Sequence, residues 1–136
     1  MLSRILRFGI RTLGKVWNET GCEYMNHNPK AYLFDIKQAC DAIAEFTRGM
    51  TYAEYSGNAM AKAAVERKFL TIGEALIRLR NENPEILKAI TGHEKIIGFR
   101  NVLVHGYDIV DDATVWSAVK DSMPILKEEI EGLLGT

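Results

Sequence analysis

The chain is short of the features that usually announce a chemistry. Its 136 residues contain only two cysteines and three prolines. Cys22 and Cys40 stand in no metal-ligand spacing, and Cys40 falls on the apolar side of a helical pattern, where a reduced thiol behaves as a small hydrophobe. No apolar run approaches the roughly 20 residues of a transmembrane helix, so a cytoplasmic protein with no membrane partner is expected. There is no surplus of positive charge: 17 Lys and Arg face 18 Asp and Glu, for a formal net charge of -1. That excludes a broad basic field, and any nucleic-acid contact has to be local. A Walker loop, a dinucleotide fingerprint, a histidine pair at metal spacing and a Gly-x-Ser-x-Gly elbow are all missing. Redox, nucleotide-hydrolysing and metal chemistries thereby lose their usual signals, and no cofactor or metal is expected.

What is present is an ordinary globular balance, 47% apolar and 26% charged residues, in a length that suits one domain. Leu33, Ile36, Cys40 and Ile43 recur at spacings of three and four after Pro29, one face of an amphipathic helix that Gly49 should close. Thr51 and Ser56 are candidate caps in the connection that follows. Val65, Phe69, Ile72, Leu76 and Leu79 form the stripe of a second helix from about Asn58 to Arg80. Pro84 then pushes Asn83 out of helical geometry and suits the first turn of a short helix to Ile90. A third main helix reads from His93 to His105 and stops at Gly106. Asp111 or Asp112 can cap a fourth, which turns Val115, Val119, Leu126, Ile130 and Leu133 inward and should kink at Pro124. No alternating strand pattern competes. The expected fold is all-α, an up-and-down antiparallel bundle of four main helices.

Residues 1–28 stand apart as an extension to a domain at 29–136. The segment MLSRILRFGIRTLGKVWN carries Arg4, Arg7, Arg11 and Lys15 with no acid. Three readings stay open: a poorly ordered, non-native leader upstream of Met25, a partner-binding or packed helix, and an interfacial membrane helix. The first is the expectation.

The chemical centre is placed at RNVLVHGY, Arg100 to Tyr107. With eight arginines and three histidines in the chain, an Arg and a His five apart is a common coincidence, so context has to carry it. Five helical residues rotate by roughly 140° beyond a full turn, and one straight helix does not aim both side chains at one point. Convergence needs a helix end, a long arginine reach or a second chain. Asn101 does share a face with His105, four residues on, and can orient the imidazole or bind a phosphate oxygen. A cationic ring at position 105 also suits the negative end of the helix dipole.

Three stretches make the pattern specific: YLFDIKQACDAIAEFTRGMTYAEY at Tyr32 to Tyr55, AVERKFLTIGEA at Ala64 to Ala75, and FRNVLVHGYDIVDDATVW at Phe99 to Trp116. Together they resemble the HepT-like ribonuclease toxins of the HEPN superfamily. That family's signature is an arginine, a polar residue, three further residues, a histidine and a tyrosine two places on, which Arg100, Asn101, His105 and Tyr107 satisfy. The resemblance implies a HEPN-like bundle, a homodimer whose two signature segments meet in a composite cleft, and a minimal nucleotidyltransferase antitoxin that adenylylates Tyr107, with a larger toxin–antitoxin complex open. It implies a metal-independent endoribonuclease acting on tRNA or mRNA, with Arg100 and His105 catalytic and Asn101 positioning. Arg67 and Glu74 lie within a matched stretch and either line the cleft or buttress helix contacts. Glu66, near Lys62 and Arg67, reads as part of a solvated face. The competing reading is a catalytically inert dimeric module that binds a nucleotidyltransferase or a nucleotide.

Overall fold

A computed structural model describes residues 16–18, 21–23, 28–106 and 110–135. The expectation of a helix-forming or disordered leader at 1–15 lies outside them, as does the neighbourhood of Met25. Two short strands are described within the extension. Val16–Asn18 (β1) and Gly21–Glu23 (β2) pair antiparallel, Trp17 opposite Cys22. Three-residue strands are too short to show the alternation by which a sequence reveals a strand.

The remaining described elements are helical. Helix α1, Pro29–Phe46, begins with Pro29 in its first turn and with the Asn28 side chain accepting from the Lys30 amide at 2.9 Å. Its buried face is Tyr32, Leu33, Ile36, Ala39, Cys40 and Ile43. The helix stops three residues short of Gly49, where the Arg48 amide turns to the i−3 carbonyl of Glu45 at 3.3 Å, while the Thr47 amide and hydroxyl both donate to the Ile43 carbonyl. Gly49 then takes a positive φ of 73° in the turn itself.

Helix α2, Tyr52–Ser56, opens on a reciprocal cap between Thr51 and Glu54. Ser56 is not a cap, as had been expected. It closes α2, and its hydroxyl donates to Asp112 at 3.2 Å, while Asn58 caps α3 by accepting from the Ala61 amide. Helix α3, Ala59–Glu82, is the longest, about 36 Å at 1.5 Å per residue. Val65, Phe69, Ile72, Leu76 and Leu79 are all buried along it. Asn83 is extended ahead of Pro84, which starts the short α4, Pro84–Lys88.

Helix α5 spans His93–His105, the bounds read from the sequence. Helix α6, Asp112–Ser117, is capped by Asp111. A π-helical turn at Ala118–Ser122 joins it to α7, Met123–Leu134. The expected disturbance at Pro124 is therefore met just before the proline. The Met123 amide bonds back to the Ala118 carbonyl, and this widened register absorbs the donor that Pro124 lacks.

The core lies where α1 packs along both α3 and α7, with Ile36, Ile43, Ile72, Leu76 and Ile130 fully enclosed. Cutting one of these back to alanine typically costs about 2–5 kcal/mol. Lys127 reaches across from α7 to Asp41 at 2.8 Å, and Lys37 holds the same carboxylate from within α1 at 2.9 Å. Helix α5 packs along α3, through an edge-on Phe69–Phe99 contact among others. It barely touches α7. The bundle is consequently open on that side, and a groove of about 530 Å³ runs between α5 and the α6–α7 arm. Among the described residues no helix is long and apolar enough to cross a membrane.

Candidate functional site

Helix α5 owes its position to a missing side chain on its neighbour. Gly73 is buried in the middle of α3, and a Cβ built on it would meet Arg100 Cβ at 2.3 Å and Cγ at 2.5 Å. The aliphatic stem of Arg100 thus lies directly on the bare backbone of α3. This close crossing carries the guanidinium to Glu74, the next residue of α3, whose Oε2 accepts from Nη2 at 2.9 Å. Nη1 donates to Asn101 Oδ1 at 2.8 Å. Nε is shielded from solvent and has no hydrogen-bond partner among the described residues. Only 19% of the Arg100 side chain is exposed, while Glu74 is half exposed.

His105 ends α5 and is exposed. The helix stops behind it, with the Gly106 amide donating to Val102 at 2.7 Å. The rotation worked out from the sequence holds: Arg100 leans against α3, and His105 projects from the helix end with no hydrogen bond to Arg100 or Asn101. Asn101 is bonded to the guanidinium instead of the imidazole. Of the two candidates on α3, Glu74 is brought to Arg100. Arg67, two turns earlier, is exposed, and its backbone carbonyl accepts from the Thr71 hydroxyl. Tyr107 lies outside the described residues.

Glu66 departs from the solvated face expected of it. It is partly buried, and burial followed by the nearby Asp112 raises its carboxyl above the usual range. Lys62 turns to Asp112 at 3.2 Å. Burial, then Glu66 and Asp112, also raise the phenol of Tyr55, which is fully enclosed against Trp116. Among the described residues no three His, Cys, Asp or Glu side chains are grouped to hold a metal ion.

Two features escaped sequence reasoning. Gly73 was legible in principle, since an isolated glycine within a buried helical stripe signals close helix contact. The groove was not. It is lined by Ile96, Phe99 and Val102 of α5 against Ala118, Met123 and Leu126 of the facing arm. Val102 is 40% exposed on this lining.

Comparison with known proteins decides the family. The family model described as "Ribonuclease HepT-like" matches residues 36–133, most of the chain and all of α3 and α5. The chain belongs to the HepT-like ribonuclease family. Among its relatives are two proteins of Methanocaldococcus jannaschii named "Putative RNase MJ1380" and "Putative RNase MJ1216". They are 35% and 37% identical over 75% and 77% of this chain and 93% and 86% of their own. A Thermococcus cleftensis protein named "Probable ribonuclease HepT" is 33% identical over 80% of this chain and 98% of its own. No solved structure matches significantly. The matched span makes Gly73, Glu74, Arg100, Asn101 and His105 part of the HepT-like domain.

Proposed function

We propose that this HepT-like protein is a metal-independent endoribonuclease, the toxin half of a type II toxin–antitoxin pair that cleaves tRNA or mRNA. The observation that carries the reading is Arg100, a guanidinium held from two sides on the helix that ends in an exposed histidine. The names of the relatives support it. Metal-free cleavage needs a base for the ribose 2'-hydroxyl, an acid for the leaving 5'-oxygen and positive charge at the crowded phosphate. One neutral His105 takes the 2'-hydroxyl proton, and the 2'-oxygen attacks phosphorus. The bond to the 5'-oxygen breaks as a second, protonated His105 gives that oxygen its proton. The products are a 2',3'-cyclic phosphate and a 5'-hydroxyl end, and exchange with solvent resets the two imidazoles. Arg100 holds the nonbridging oxygens by charge-assisted hydrogen bonds, and Asn101 fixes the guanidinium.

A second His105 requires a second chain. The open side of the bundle supports that pairing, because α5 has one packed flank and one apolar flank bordering the groove. Seating α5 of a second copy against it brings two signature segments into one cleft. Regulation follows from Tyr107, two residues past His105. A nucleotidyltransferase antitoxin that attaches AMP there sets an anionic phosphate beside the cationic site and blocks RNA sterically and electrostatically.

The test uses purified, antitoxin-free protein shown by intact mass to be unmodified, incubated with tRNA in EDTA. Cleavage that survives chelation and is lost in Arg100→Ala supports the enzyme. An inert wild type would leave a binding module and overturn it.

A further inference from the structure

We infer that Glu74 is a positioning residue for the cleavage reaction, fixing the angle of the Arg100 guanidinium without itself contacting RNA. The inference rests on the function proposed above for Arg100. A guanidinium has five N–H donors in a rigid fork. Glu74 takes one donor of Nη2 and Asn101 one of Nη1, and the Nε donor is closed off from solvent. That leaves one donor on each Nη, enough for a bidentate contact with a phosphodiester. The stem cannot settle closer to α3, because it already touches the Gly73 backbone. With the stem stopped by Gly73 and the fork held from either side by Glu74 and Asn101, the direction of that donor pair is set before substrate arrives.

Glu74 is anionic and half exposed, so near an RNA phosphate it repels. Its benefit is therefore orientation, and the two effects separate in kinetics. Loss of orientation lowers kcat, whereas removal of a negative charge beside the phosphate leaves KM unchanged or lowers it. A glutamine keeps one oxygen acceptor at the same reach, removes the charge and replaces the other oxygen by an NH2 group.

The experiment measures kcat and KM for wild type, Glu74→Ala, Glu74→Gln and Arg100→Ala on one RNA, with thermal unfolding of each variant. Glu74→Ala is expected to lose on the order of 10-fold or more in kcat with KM not raised. Glu74→Gln is expected to recover kcat to within about threefold of wild type and to bind RNA more tightly. A Glu74→Ala protein with wild-type kcat, or with KM raised and kcat intact, overturns the inference, and so does a Glu74→Gln protein as slow as the alanine variant. If Arg100→Ala cleaves like wild type, it is the functional reading of Arg100 that fails. An active wild type with an inactive Arg100→Ala leaves that reading standing, whatever Glu74 does.

Discussion

Replacing Gly73 by alanine sets two known effects against each other. Helix propensity favours alanine over glycine by about 1 kcal/mol in a helix interior. Against this, the new Cβ would lie 2.3 Å from Arg100 Cβ and 2.5 Å from Cγ. Carbon atoms at optimal separation are about 3.5–4.0 Å apart, so α3 and α5 must part, or the Arg100 stem must swing aside, by about 1 Å or more. Overpacking of that kind costs about 1–3 kcal/mol. The net loss is about 1 kcal/mol, or about 4 °C in Tm for a domain of this size. The effect on cleavage is larger, because the displaced stem carries the guanidinium away from Glu74 and Asn101. A misplacement of about 1 Å is worth up to about 100-fold in rate, and kcat is expected to fall by about 10- to 100-fold. Gly132→Ala is the control, since a Cβ there meets nothing within 4 Å, and it should raise stability by about 0.5–1 kcal/mol. Thermal unfolding and a cleavage assay on both variants decide the matter. A Gly73→Ala protein that gains stability as the control does and cleaves at the wild-type rate would refute the close crossing.

Three further outcomes are expected. Val102→Glu puts a charge on the apolar flank of α5; sedimentation should show a monomer, with cleavage lost, and a dimer that still cleaves would move the interface elsewhere. Incubation with the cognate nucleotidyltransferase and ATP should add the mass of one AMP to wild type and none to Tyr107→Phe, and an adduct retained in the variant would redirect the modification. The hydrogen bond from Lys127, assisted by Lys37, holds the Asp41 carboxyl below its usual range. A depressed acid contributes stability above its unfolded value, about pH 4, and loses it as pH falls through the folded value. Because this carboxylate is 41% exposed, Asp41→Asn should cost only about 0.5–1 kcal/mol at neutral pH. The unfolding curves of variant and wild type should converge in acid, and a gap that persists there would exclude the linkage.

The sequence revealed most where period and punctuation agreed. The stripe from Val65 to Leu79 follows from spacings of three and four ahead of the Asn83–Pro84 break, and the bounds of α5 at His93 and His105 from the glycines at 92 and 106; tertiary contacts only reinforced them. It was silent where long-range geometry chose among local options. Ser56 and Asn58 are both competent caps, and Ser56 was drawn away by Asp112, which lies 56 residues on. Glu66 looked solvated beside Lys62 until α6 brought Asp112 against it. The candidate site divides in the same way. The Arg100, Asn101 and His105 pattern is local and readable, whereas the grip of Glu74 on Arg100 spans 26 residues and depends on a crossing that only Gly73 permits.

The most direct measurement is end-group analysis of RNA cleaved in EDTA by unmodified wild type and by His105→Ala. The expected result is a 2',3'-cyclic phosphate and a 5'-hydroxyl end from wild type, and loss of cleavage in the variant. His105 sits exposed at the end of α5, so the variant should unfold at a temperature close to wild type and the loss will report chemistry. A folded His105→Ala protein that still cuts, or a wild type whose products carry a 5'-phosphate, would contradict proton transfer by His105.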